Sequence, residues 1–144
     1  MTEAMKMSDS LYRALNAHDL GLTMRQFHPQ AVLVTPVGIM EGHEQIAWHY
    51  EHMFGAFPDL VLTTWHRVSC GDPALNEWTM SAVHSGPFLI PGCGLAEPTG
   101  RRVLMRGCSA CTVDHGLIVV KRVYYDQLEL CSQLGYALSP SIQA

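Results

Sequence analysis

A chain of 144 residues with nine Lys plus Arg, thirteen Asp plus Glu and a formal charge of −4 lacks the basic footprint that nucleic acid or an anionic membrane surface requires, and neither is expected as a partner. Its 48% hydrophobic and 15% charged residues make it unusually apolar, so part of that surface is expected to line a pocket or a subunit interface. The length suits one domain, residues 1–144, and no apolar run is long enough to span a membrane.

The opening "MTEAMKMSDS" has no apolar stretch of the kind a secretory leader needs, and the cysteines Cys70, Cys93, Cys108, Cys111 and Cys131 are an odd set, so a cytoplasmic, thiol-reduced protein is expected. In "SDSLYRALNAHDL", Leu11, Leu15 and His18 recur at helical spacing behind Ser8 or Asp9 as cap, which predicts a first helix. "GLTMRQF" reads as a second short helical piece, and "AVLVTPVG" as a short strand closed by Pro36 and Gly38. "GHEQIAWHYEHMFGAFPD" puts Ile46, Tyr50 and Met53 on one face of a third helix that ends before Gly55 and Pro58.

Beyond Pro58 the chain reads as strands. "LVLTTWHRV", "ALNEWTMSAVHS", "RRVLMRGCSACTV" and "LIVVKRVYYD" are rich in β-branched and aromatic residues, and "CGDP" and "DHG" join two pairs of them as hairpins. Between two of these strands lies "GPFLIPGCGLAEPTG", with four Gly and three Pro in fifteen residues, expected to form a lid or rim over a site. Helices first and a meander of long strands after them predict an α+β fold, a curved antiparallel sheet packed by N-terminal helices around an internal hydrophobic cavity. The uncovered sheet face is a physical reason to expect a homodimer.

Several side chains have the chemistry for a site. Asp126 follows Tyr124 and Tyr125, where neighbouring rings could raise its pKa and make it a base. It also precedes "QLEL", with Glu129 three positions on and Gly135 at the far end, which is the pattern of a helix cap. His84 shares strand parity with Trp78, Met80 and Ala82, and reads either as an acid, base or donor in the cavity or as a satisfied structural histidine. Arg106, mid-strand among apolar residues, either stabilises an enolate or phenolate or forms a salt bridge. Trp65 and His66 are adjacent in a strand, so one of the two is expected to meet the cavity.

Cys108 and Cys111 have CxxC spacing but fall on opposite faces of a strand, and His49 and His52 share a helix face without a third ligand in a recognised pattern, so no metal is assigned. No dinucleotide glycine motif, phosphate loop or nucleophile elbow occurs; no bound cofactor is expected, and cofactor chemistry would need another protein.

In order along the chain, "NAHDL", "FHPQAVLVTPVG", "FGAFPDL", "VHSGPF", "PTGRRV", "VDHGLI" and "YYDQLELCSQLG" resemble the SnoaL-like polyketide cyclases of the nuclear-transport-factor-2-like superfamily. The resemblance implies a conical α+β barrel with a hydrophobic cavity, usually a homo-oligomer, and a ring-closing or tailoring role on aromatic polyketides. It also matches the general-base aspartate of the ring-closing members to Val123 and their assisting histidine to Ser109, so a side chain at Val123 cannot form the enolate. The anthracycline-associated hydroxylase branch resembles this chain better. That implies cofactor-free hydroxylation at C-1 of an anthraquinone or anthracyclinone with O2, aided by a separate NADPH-dependent reductase.

Three readings follow. The first is such a hydroxylase, with His84 and Arg106 as its polar groups and Trp65 or His66, Trp78 and Tyr125 forming a flat slot beside Val123 and Ser109. Tyr125 shares the strand parity of Val123, whereas Asp126 has the opposite one. The second is an aldol-type cyclase using Asp126 and His84 in a shifted register. The third is a non-catalytic small-molecule binding module.

Overall fold

The computed structural model describes residues 1–69 and 71–140. Helix α1 (Glu3–Asn16) begins earlier than the sequence suggests, because the Thr2 side chain accepts from the Met5 N–H and takes the capping role expected of Ser8 or Asp9. Ser8 instead lies within the buried face, with Leu11, Tyr12 and Leu15. His18 falls past the helix end with φ 55°, its Nε2 2.7 Å from the Leu60 carbonyl oxygen. Asp19 caps α2 (Leu20–Arg25) by accepting from the Leu22 N–H at 2.9 Å.

The next strand is longer than expected. It runs as β1 (Phe27–Thr35) and turns at Pro36 into β2 (Gly38–Glu41), which the sequence reading missed. Helix α3 (Gly42–Ala56) runs through Gly55 and buries Ile46, Tyr50 and Ala56. The predicted strands follow as β3 (Val61–Ser69), β4 (Ala74–Val83), β7 (Arg102–Asp114) and β8 (Leu117–Tyr125). The first hairpin turn includes Cys70, which lies outside the described residues; the second is the expected "DHG". The Gly- and Pro-rich loop forms its own hairpin, β5 (Phe88–Ile90) with β6 (Gly94–Ala96), and α4 (Gln127–Gln133) closes the order.

Six strands form one sheet in the order β2-β1-β8-β7-β4-β3. All its pairs are antiparallel except β1 with β8, which run parallel and depart from the purely antiparallel expectation. Alternation along β4 turns Ala74, Asn76, Trp78, Met80 and Ala82 inward, and register carries that face onto Met105, Gly107, Ser109 and Cys111 of β7. It continues onto Lys121, Val123 and Tyr125 of β8. Helices α1 and α3 lie across this face, and Phe27, Leu33, Phe57 and Ile118 are buried to 1% exposure or less. Each such side chain contributes about 1.5–3 kcal/mol relative to leaving it exposed.

Two glycines are fixed by close approach. A Cβ on Gly86 would stand 2.1 Å from the Gly55 carbonyl oxygen, where the Ser85 and Gly86 N–H groups both donate to the Ala56 carbonyl at 3.0 and 3.1 Å. A Cβ on Gly107 would stand 2.2 Å from the Trp78 ring, which lies across its cross-strand partner. Among the described residues no helix is long and apolar enough to cross a membrane.

Candidate functional site

Between the concave sheet face and helices α1 and α3 lies an inner cavity of about 70 Å³, walled mainly by apolar and aromatic side chains. A wider groove of about 520 Å³ runs between the β5–β6 hairpin and α4, lined by Phe88, Ile90, Leu128 and Tyr136 among others. Tyr125 borders both spaces, so its side chain stands between the groove and the inner cavity.

The polar content of the inner cavity is sparse. Tyr12 and Trp78 both donate to the Ser109 hydroxyl, at 2.9 and 2.8 Å, which fixes the tryptophan ring in the cavity wall. Deeper on β8, Lys121 is 4% exposed and its Nζ donates to the Tyr50 hydroxyl at 3.3 Å. The ammonium also lies 4.8 Å from the centre of the Tyr12 ring, within cation–π range. Among the described residues no carboxylate lies within 4.0 Å of it. Burial pulls the Lys121 pKa down to about 8, which still leaves it mainly protonated at neutral pH.

His49, on the cavity side of α3, is pulled down to about 4, first by burial and then by the charges of Lys121 and His52, so it is a neutral imidazole. Burial raises the pKa of Tyr12 and Tyr50, and pushes Tyr125 up to about 12, so all three keep their phenolic protons. The cavity therefore holds one positive charge, several neutral donors and no carboxylate among its lining residues.

The side chains singled out in sequence are distributed unevenly. Trp78, Val123 and Tyr125 line the cavity, with Ser109 directly behind Trp78. Ser109 and Val123 are cross-strand partners, so the two positions matched to an acid–base pair stand side by side on one wall. His84 faces inward as its parity predicts and is fully buried, but it lies past the end of β4 and does not line the cavity. Its Nδ1 accepts from the Thr99 N–H at 3.2 Å and meets the Thr99 hydroxyl at 2.9 Å, its ring packs against Phe57 and Phe88, and among the described residues its Nε2 has no partner.

Arg106 takes the salt-bridge reading and Asp126 the helix-cap reading over a catalytic one, while the expectation for Trp65 and His66 is corrected. Arg106 alternates with Met105 and Gly107 and so points outward, where it pairs with both carboxylate oxygens of Glu129 at 3.0 and 2.7 Å. Asp126 is exposed and caps α4, its Oδ1 accepting from Leu128 N–H at 2.8 Å and Glu129 N–H at 3.2 Å. Neither Trp65 nor His66 meets the cavity: a bulge between Thr64 and His66 breaks the alternation and leaves both exposed, with the Trp65 Nε1 donating to Thr79 Oγ1 at 3.1 Å.

Lys121 and Tyr12 carry no role in the sequence reading, which considers His49 only as a metal ligand and places Tyr50 only on one face of the third helix. The available signal was parity, because Lys121 lies two residues before Val123 and faces the same way. Among the described residues no group of three or more His, Cys, Asp or Glu side chains could hold a metal ion.

A family model described as a SnoaL-like domain matches residues 9–121. The curated proteins gave no match. Among solved structures the chain is similar to AclR, a candidate hydroxylase from Streptomyces galilaeus, at 23% identity and TM-score 0.79, over 92% of this chain and 96% of that one. It is also similar to a candidate SnoaL-like polyketide cyclase from Jannaschia sp. CCS1, at 18% identity and TM-score 0.82, over 94% of each chain. IdmH, a candidate polyketide cyclase from Streptomyces antibioticus, matches at 24% identity and TM-score 0.75, over 92% of this chain and 99% of that one. At these identities the likeness shows a shared fold.

Proposed function

The chain belongs to the SnoaL-like domain family, and from that premise we propose that it tailors a planar aromatic polyketide of the anthracycline type, by O2-dependent hydroxylation at C-1 without a cofactor of its own. The observation that carries this reading is the wall formed by Val123 and Ser109. Where the resemblance matches an acid–base pair, an apolar side chain faces a serine already engaged by Tyr12 and Trp78. A carboxylate-driven aldol closure has no base there, whereas an aromatic slot with one cation and neutral donors suits an electron-rich phenolate or hydroquinone.

The electrons come from a separate NADPH-dependent reductase that supplies the dihydroquinone. One oxygen atom of O2 enters the ring and the other leaves as water. Trp78 and Tyr125 hold the ring plane, and the groove beside Tyr125 accommodates rings that the 70 Å³ inner cavity cannot. We include a homodimer in this proposal, supported by Trp65, Leu75, Leu104 and Tyr124, which expose 41–62% of their surface on the outer sheet face. Sedimentation showing only a 16.0 kDa species would remove that part.

The test is turnover of a reduced anthraquinone with reductase and NADPH, in air and under nitrogen, read by product mass. Gain of one oxygen atom that needs both O2 and this protein is the expected result, and a product formed equally without O2 sinks the hydroxylase. A binding module without chemistry is the second reading. It is favoured by the narrow inner cavity and by the placement of Arg106 outside it, and saturable binding with no change in product mass would establish it. The exposed, helix-capping position of Asp126 counts against the cyclase that uses it.

A further inference from the structure

Lys121 is the least explained charge in the molecule. Its side chain crosses into the apolar side of the sheet from the middle of β8, opposite Cys111 on β7, and among the described residues no carboxylate answers it. A buried ammonium without a counter-charge costs several kcal/mol, and an apolar side chain of the same volume would pack there more favourably. Of its three N–H donors one goes to Tyr50, and the Tyr12 ring face offers partial compensation.

Tyr50 completes the arrangement. Its oxygen accepts from Lys121, which leaves its own O–H proton free to donate. Two donors 3.3 Å apart, one charged and one neutral, can therefore converge on a single oxygen atom that enters the cavity.

We propose that Lys121 and Tyr50 form an anion receptor for an ionised phenolic or enolic oxygen, so that the protein binds acidic phenols and enolised 1,3-dicarbonyl compounds as their anions. This deepens the reading above and rests on it for the polycyclic part of the substrate. On binding, the phenol O–H bond breaks, the electron pair stays on oxygen as the phenolate, and the proton passes to solvent; no other bond changes. An anion so held is the electron-rich form that O2 oxidation requires, and the ammonium gains the counter-charge that the fold withholds.

The receptor is tested with two chromophores whose ionisation is visible in their absorbance: 4-nitrophenol, a single ring, and a monohydroxyanthraquinone. Each is titrated with the full chain at a pH below its solution pKa. The expected result is a ratio of ionised to neutral bound chromophore raised at least about tenfold, equivalent to one pKa unit. Lys121→Met is expected to bind each probe without ionising it, and Lys121→Arg to restore part of the anion band; circular dichroism checks that both variants fold.

Wild-type binding of 4-nitrophenol in its neutral form, or ionisation that survives in Lys121→Met, overturns the receptor. Failure of the wild type to bind 4-nitrophenol also overturns it. Ionisation of 4-nitrophenol with no binding of the hydroxyanthraquinone leaves the receptor standing and overturns the polycyclic substrate instead.

Discussion

Ser109 shows how one hydroxyl can set the shape of a cavity. It accepts from both Tyr12 and Trp78, and only Tyr12 has a second acceptor, Asn76 Oδ1 at 3.4 Å. Ser109→Ala therefore orphans the Trp78 N–H in a buried site and is expected to lower stability by about 1–3 kcal/mol, read from the urea midpoint, with a shift in tryptophan fluorescence. An unchanged midpoint would mean that Trp78 finds another partner. Parity made much of this wall legible in sequence, since Trp78 and Met80 on β4 and Val123 and Tyr125 on β8 do face inward. Lys121 has the same parity, but a lysine ordinarily marks a solvated position. His84 was assigned to the correct face and still falls outside the cavity, because alternation reports direction and not depth along the cone. Arg106 has apolar sequence neighbours on both sides, which conceals that its own direction is outward.

At the scale of elements, α4 depends on its first residue. Asp126 satisfies two N–H groups at the helix start, so Asp126→Ala is expected to cost about 1 kcal/mol while Asp126→Asn stays within a few tenths. Both variants should retain turnover, and loss of activity in a folded Asp126→Asn would return the carboxylate to the chemistry. The β5–β6 hairpin is held from α3, where His52 stacks between Trp48 and Phe88 and its Nε2 accepts from the Leu89 N–H at 3.0 Å. His52→Ala removes a bond worth about 1 kcal/mol, so hydrogen exchange at the Leu89 amide should accelerate about fivefold; unchanged exchange would show that Phe88 alone anchors the hairpin. The helices and four long strands were legible because their apolar periods are long. The short strands β2, β5 and β6 were not, since three or four residues between Gly and Pro carry no period, and the parallel pairing of β1 with β8 joins segments distant in the chain.

For the whole molecule, the buried titratable groups dictate how stability follows pH. His49 is held at about 4 against an ordinary 6.5, so between those values the unfolded chain binds a proton that the folded chain refuses, and stability falls as pH drops through that window. Lys121 is held at about 8 against 10.5, so over that interval the unfolded chain again carries the extra proton and stability rises with pH. Tyr12, Tyr50 and Tyr125 are raised, so above about pH 10 the unfolded chain sheds phenolic protons that the folded chain keeps, and stability falls again. Urea midpoints measured across pH should thus climb to about 6.5, level off, climb a second time from about 8 and then drop. Lys121→Met should keep the first climb and the final drop, lose the second climb, and exceed the wild type in stability at pH 7. Burial also raises the Cys111 thiol, which lowers stability over part of the same interval, so a wild-type profile no steeper than that of Lys121→Met between about pH 8 and 10 would mean that the ammonium is not desolvated. Saturating 4-nitrophenolate should also erase the second climb, because an anion beside Nζ returns the folded lysine toward its ordinary pKa and removes the difference from the unfolded chain.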